Sequence, residues 1–213
     1  MLPPCRDGAD LESPLEMTPL PEGIQWTGRI AYLDRDGVLN RGSENYINSP
    51  EEIVILDGAA DSVAKLRGAG FRVCVVTNQS PVGRGHWTHD ELALIHHRLR
   101  YLMVQENADA VIDLILYSPY VPRENSWARK PNPGMLEAGR QLLNAAHDDQ
   151  DQRIEIKFGE DWKGRAEEPG SVLVGDRTSD MEAARNHGII GLKCSSEEGL
   201  AGVIAEVLGE ENV

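Results

Sequence analysis

The chain has 213 residues, 40% of them hydrophobic and 26% charged, the balance of a soluble globular domain with one sizeable core. A formal net charge of −14, from 35 acidic against 21 basic residues, repels a polyanion at long range and sets aside a nucleic-acid-binding surface, though not a small phosphorylated ligand. No apolar run is long enough to cross a bilayer, the opening MLPPCRDGADLESP lacks a secretory pattern, and Cys5, Cys74 and Cys194 show no paired spacing, so a cytoplasmic protein with free thiols and no membrane partner is expected.

Residues 1–27 hold five of the twelve prolines without sustained periodicity and are expected to form an extended N-terminal arm. A domain over 28–213 follows, in which short apolar runs alternate with amphipathic stretches. Strands are predicted at 29–33 (RIAYL), 71–76 (FRVCVV), 111–117 (VIDLILY), 171–174 (SVLV) and 188–194 (GIIGLKC). Helices are predicted at 58–68, at 88–105 behind a Thr88/Glu91 capping box, at 133–146, at 179–186 and at 199–208. The alternating RIEIKF of 153–158 reads as an added edge strand. This order implies an α/β fold: a doubly wound, Rossmann-like, mostly parallel sheet of about five strands with helices on both faces. Ligands of such sheets bind at the carboxyl ends of the strands.

Those ends carry the polar residues. Asp34-Arg35-Asp36-Gly37 follows the first strand, and residues two apart in extended backbone turn both carboxylates to one pocket. Thr77-Asn78-Gln79-Ser80 follows the second strand, Arg129-Lys130-Pro131 lies beyond the third, and Gly175-Asp176-Arg177-Thr178-Ser179-Asp180 follows the fourth. Each aspartate alone reads as a turn former or helix cap. Together, in order, they read as a site.

The strings DRDGVLN, VVTNQS, RKPNPGM and VGDRTSD resemble the four motifs of the haloacid dehalogenase superfamily, over residues 29–195. They are most similar to a branch containing D-glycero-D-manno-heptose 1,7-bisphosphate phosphatases and histidinol-phosphate phosphatases. The resemblance implies Mg²⁺-dependent phosphate ester hydrolysis through an aspartyl-phosphate. Asp34 would be the nucleophile and Asp36 the general acid and base. Thr77 and Lys130 would bind phosphoryl oxygens. Asp34, the Asp36 carbonyl and Asp176 would hold the metal, with Asp180 orienting Lys130. Asn40, Asn78, Ser80, Arg84 and Arg129 are candidates for lining the substrate pocket, Arg84 with a solvated surface arginine as its equal alternative. His86, His89, His96 and His97 sit on a predicted helix and its cap and read as surface or packing histidines; Trp87, Trp127 and Trp162 read as packing residues.

Two departures matter. Many members of the branch carry a zinc loop of cysteines and a histidine before the lysine motif, whereas Ser118–Ala128 has neither residue type, so no zinc is expected there. The link 147–170 is long and reads as a surface embellishment. The segments after Asn40 and after Thr77 are too short for a cap domain, which leaves an open site. The expected activity is a phosphatase of a small phosphorylated sugar, heptose 1,7-bisphosphate first (7-phosphate removed), histidinol phosphate or a polynucleotide 3′-phosphate as alternatives. A monomer or weak homo-oligomer is expected. Non-enzymatic rivals are a phospho-accepting receiver, which leaves Asp36 and the last acidic motif unexplained, and a catalytically dead interaction protein, which has no use for four intact motifs.

Overall fold

The computed structural model describes residues 2–210. Its six strands are β1 (Cys5–Arg6), β2 (Ile30–Leu33), β3 (Arg72–Asn78), β4 (Leu114–Ser118), β5 (Val172–Gly175) and β6 (Ile190–Lys193), in the sheet order β1-β4-β3-β2-β5-β6. The helices are α1 (Ala59–Gly68), α2 (Ser80–Gly83), α3 (His89–Glu106), α4 (Gly134–Asp148), α5 (Thr178–His187) and α6 (Ile204–Leu208). Strands β2 to β6 pair in parallel, and β1 pairs antiparallel with β4.

Strand alternation explains why both faces need cover. Ala31, Leu33, Val73 and Val75 face one core with Val63, Leu66, Ile95 and Leu99 of α1 and α3. Ile30, Tyr32, Cys74 and Val76 face the other with Leu136, Leu142 and Leu143 of α4 and Ala183 and Ala184 of α5. A sheet apolar on both sides is stable only between two helical layers. Gly139 lets α4 approach closely, since a Cβ there lies 3.1 Å from the Tyr32 ring and 3.2 Å from Cys74 Sγ. The Thr88–Glu91 capping box opens α3 as predicted. Within the predicted last helix, a 3₁₀ turn at Gly199–Gly202 precedes the short α6.

Two elements differ from the sequence reading. The sixth strand, β1, comes from the opening segment: Cys5 and Arg6 pair with Tyr117 and Leu116. That segment is fastened along its length, through Asp7 to His96 and Arg100 (3.0 and 2.9 Å), buried Leu15 and Met17, and the Thr18 and Pro19 carbonyls under Arg72 and Arg67. Residues 153–158 form no strand. Lys157 N–H and C=O instead bond the Gln141 side chain of α4, and Ile154 and Ile156 pack in the core on the α4 side without joining the sheet.

The chain moves outward from β2 through β3 to β4, then returns to place β5 on the other side of β2. The direction of winding thus changes between β2 and β5, the place where ligands bind in open α/β sheets. Among the described residues no cap is inserted: 41–58 is a loop with one 3₁₀ turn, and 79–88 is a loop with the single turn α2.

Candidate active site at the carboxyl ends of the central strands

The ends of β2, β3 and β5 and the Lys130 loop close on a cavity of about 110 Å³ lined by Asp34, Asp36, Thr77, Asn78, Arg129, Lys130, Arg177 and Ser179. A larger cavity of about 550 Å³ adjoins it at Asp176 and Arg177 and is lined by Arg41, Ser43, Glu44 and Glu197. Another cavity, of about 560 Å³, lies under the N-terminal segment and shares no lining residue with the first.

Lys130 is the hub. Its Nζ is 3.0 Å from Asp34 Oδ1 and 2.5 Å from Asp180 Oδ1, and it donates to Val76 O at 2.8 Å. Burial works against its charge, but the two carboxylates outweigh it and raise its pKa above the ordinary value. Asn78 secures the lysine backbone from both sides, donating to Lys130 O (3.0 Å) and accepting from Lys130 N (3.1 Å). Asp180 Oδ2 accepts from Arg177 N, so both oxygens of Asp180 are engaged.

Asp34 accepts from Arg35 N at 2.8 Å on the same Oδ1 that meets Lys130, so Oδ2 stays available. Burial, with Asp180 and Asp36 nearby, pushes its carboxyl up to about 6 against the pull of Lys130 and the Arg35 amide. Asp36 goes the other way. Burial raises it, but the Arg35 guanidinium (3.0 and 2.8 Å), Asn40 and Gln79 hold it below the usual carboxylate range. Gln79 also donates to Thr77 Oγ1 at 2.9 Å.

Asp34, Asp176 and Asp180 offer carboxylate oxygens within 4.8 Å of one another. Asp176 Oδ1 is buried and receives no hydrogen bond, and burial together with Asp180 raises its pKa. Gly37, at φ +78°, makes room for this group, because a Cβ there falls 2.6 Å from Asp176 Oδ2. Three gathered acids facing one buried ammonium leave uncompensated negative charge. Hard oxygen donors in such a cluster fit Mg²⁺.

A family model described as HAD-hydrolase-like matches residues 127–196. Two curated relatives are named D-glycero-beta-D-manno-heptose-1,7-bisphosphate 7-phosphatase. The one from Pseudomonas aeruginosa is 35% identical over 73% of this chain and 75% of its own length. The one from Pseudomonas putida is 42% identical over 52% of this chain, and the match spans 62% of that relative. A solved structure of D,D-heptose 1,7-bisphosphate phosphatase from Bordetella bronchiseptica, complexed with magnesium and phosphate, superposes with a TM-score of 0.66 at 27% identity, over 85% of this chain and 99% of that one. The chain belongs to the haloacid dehalogenase-like phosphatases.

In this phosphatase the candidates of the sequence reading are distributed unevenly. Asp34, Asp36, Thr77, Asn78, Arg129 and Lys130 line one cavity, with Asp176 and Asp180 beside it. Asn40 is fully buried and spends its amide on Asp36 and Arg41 O, and Asn78 spends its own on Lys130, so both act on neighbouring side chains or backbone. Ser80 is buried in the first turn of α2 and does not line the cavity. Arg84 is exposed and close enough to Arg129 to disfavour its charge. His96 is buried against Asp7, His89 bonds the Tyr117 hydroxyl, and Trp127 donates to Glu137. Sequence reasoning missed Arg35 and Gln79 as the residues that grip Asp36. The clue was present, since both lie inside the motifs, but an arginine pointing back at its own neighbour has no signature in spacing.

The loop at 118–130 is held by protein groups. Tyr120 Oη donates to Pro3 O, Ser126 Oγ to Leu2 O, Arg129 to Tyr120 O and Asn132 to Ser126 O. Among the described residues no helix is long and apolar enough to cross a membrane.

Proposed function

We propose that this phosphatase is Mg²⁺-dependent and works through an aspartyl-phosphate on Asp34, on a small sugar that carries a second phosphate. The observation that carries the reading is Lys130 fixed between Asp34 and Asp180, with Asp176, whose buried Oδ1 receives no hydrogen bond, beside them. Asp34 Oδ2 attacks phosphorus in line with the leaving oxygen. Lys130, with the Thr77 hydroxyl, neutralises the equatorial oxygens. Asp36 gives a proton to the departing alkoxide and takes one from the water that cleaves the intermediate. Asp34, Asp176 and the Asp36 carbonyl would hold a magnesium ion, whose charge would let a carboxylate approach a phosphate. Arg35, Asn40 and Gln79 keep Asp36 aimed, and Asp180 keeps Lys130 aimed.

The arginines at the mouth support a second anionic group. Burial and the nearby Arg84 and Arg177 guanidinium groups depress the Arg129 pKa, a repulsion that a bound phosphate relieves. The names of the relatives make D-glycero-D-manno-heptose 1,7-bisphosphate, losing its 7-phosphate, the leading substrate. Free Cys5, Cys74 and Cys194 are in keeping with a reducing, cytoplasmic setting.

The test is phosphate release from heptose 1,7-bisphosphate, other sugar phosphates, histidinol phosphate and a 3′-phosphorylated oligonucleotide, with Mg²⁺ or EDTA, for wild type and Asp34→Asn. Release that needs Mg²⁺ and is abolished in the variant supports the mechanism. Preference for histidinol phosphate or the oligonucleotide displaces the sugar, and silence on the whole panel removes the reading.

A further inference from the structure

Glu137 is a buried charge that the reaction leaves unused. It stands in the first turn of α4 at 1% exposure, and both of its carboxylate oxygens are engaged. Oε2 accepts from Trp127 Nε1 at 2.9 Å and from Gly159 N at 3.0 Å, and Oε1 accepts from Arg165 Nε. The Arg165 guanidinium also lies 5.9 Å from the centre of the Trp127 ring and donates to Gly159 O at 3.1 Å. One carboxylate thus ties together α4, the link of 147–170 and the loop that carries Lys130.

A carboxylate withdrawn from water is costly, and stability alone is often served as well by an apolar side chain of similar size. What a charged hydrogen-bond set adds is direction. Trp127 is the second residue of a tight turn in which Arg129 N bonds Ser126 O at 3.0 Å, and Arg129 lines the catalytic cavity. The Trp127 carbonyl accepts from Gly134 N at 3.0 Å, where α4 begins. Trp127 is therefore pinned through both backbone and side chain, two residues before Arg129. The two cations that follow it differ in their other support. Lys130 is clamped by Asn78, Asp34 and Asp180, whereas the Arg129 guanidinium is held at the Tyr120 carbonyl, 2.9 Å away.

We propose that Glu137 is a positioning residue for Arg129, acting through Trp127, with Arg165 of the 147–170 link holding the carboxylate in place. The inference rests on the reading of Arg129 as a residue that binds a second phosphate, and extends it to how that arginine is aimed.

The experiment measures phosphate release from heptose 1,7-bisphosphate with Mg²⁺, reading kcat and KM separately, with thermal melting alongside. Trp127→Phe keeps a ring and removes the N–H that Glu137 accepts. Its KM should rise about fivefold, with kcat within about twofold of wild type. In an Arg129→Ala background the same substitution should leave KM where Arg129→Ala alone puts it, because the group being aimed is gone. Glu137→Gln keeps an oxygen for Trp127 and should hold KM near the wild-type value, whereas Glu137→Leu should match Trp127→Phe. If Trp127→Phe or Glu137→Leu does not fold, Arg165→Ala, at a side chain 28% exposed, makes the same comparison from the other end of the set. An unchanged KM, whatever the melting temperature does, or a KM rise that persists without Arg129, overturns the inference while wild-type turnover leaves the phosphatase reading standing. A wild type that releases no phosphate removes that reading and the inference with it.

Discussion

Lys130 and the three arginines at the mouth are both positive, yet they are built on opposite plans. The lysine ammonium is withdrawn from solvent, sits between two carboxylates and donates to a backbone carbonyl, while its backbone is clamped by Asn78. Arg84 and Arg177 are exposed, Arg129 is half-buried, and the first two repel the third. A buried charge is costly to misplace and has one arrangement, so it suits the invariant part of the reaction, the phosphoryl group. Exposed arginines keep their freedom and are screened by salt, so they suit the variable part, the rest of the substrate.

Experiments can sharpen or break that contrast. Asp34→Asn at the buried end should cut phosphate release by about a thousandfold or more while the fold persists, read by circular dichroism beside the assay. Asp180→Ala leaves Lys130 short of a partner in a dry place. It should cost about 3–5 kcal/mol in urea unfolding as well as most activity, whereas Arg177→Ala should change stability by no more than about 0.5 kcal/mol. Similar losses for these two variants would erase the distinction. Gly37→Ala drives a Cβ toward Asp176 Oδ2 and strains a left-handed backbone, so the Mg²⁺ concentration for half-maximal rate should rise about tenfold or more. Arg129→Ala should raise KM for a bisphosphate about tenfold with kcat nearly intact, and the difference from wild type should shrink in high salt.

The smallest effect lies away from the site, at the His96 contact with the N-terminal segment. Burial lowers the His96 pKa, Arg35 and Arg100 push the same way, and Asp7 opposes them. Tyr117 meets the His96 ring edge-on, and burial holds its phenol neutral. The folded chain therefore keeps His96 neutral where an unfolded chain protonates it, around the ordinary value of 6.5. Below that pH the unfolded state binds more protons, so stability declines as pH falls. Asp7 is held low by His96 and Arg100 despite burial, and it adds its own loss only near and below 3.8. Urea midpoints between pH 5 and 8 should show the slope, and His96→Gln should flatten it.

The parallel core was legible because each strand carries its own apolar run and each motif sits within a few residues of a strand end. Asp34, Asp36, Thr77, Lys130, Asp176 and Asp180 could be picked out since position along the chain nearly dictates position in the pocket. β1 could not be read, as two residues have no period and their pairing is decided by a partner 110 positions away. The alternation at 153–158 misled for the complementary reason. It is real, but it serves packing on α4, and a pattern of period two does not say whether an edge is in reach. The left-handed Tyr46 had no signal either, because nothing in a tyrosine announces its φ.

The pairing of β1 with β4 also bears on how the molecule is made. On a ribosome β1 emerges long before its partner β4, so its residues must wait for a strand made much later before they find their place. Until they do, β4 presents an open, apolar edge, LILYS, to any passing strand. The segment that finishes the sheet thereby also shields its most adhesive border, and a nascent chain delayed at that step is the form most exposed to clumping with its own copies.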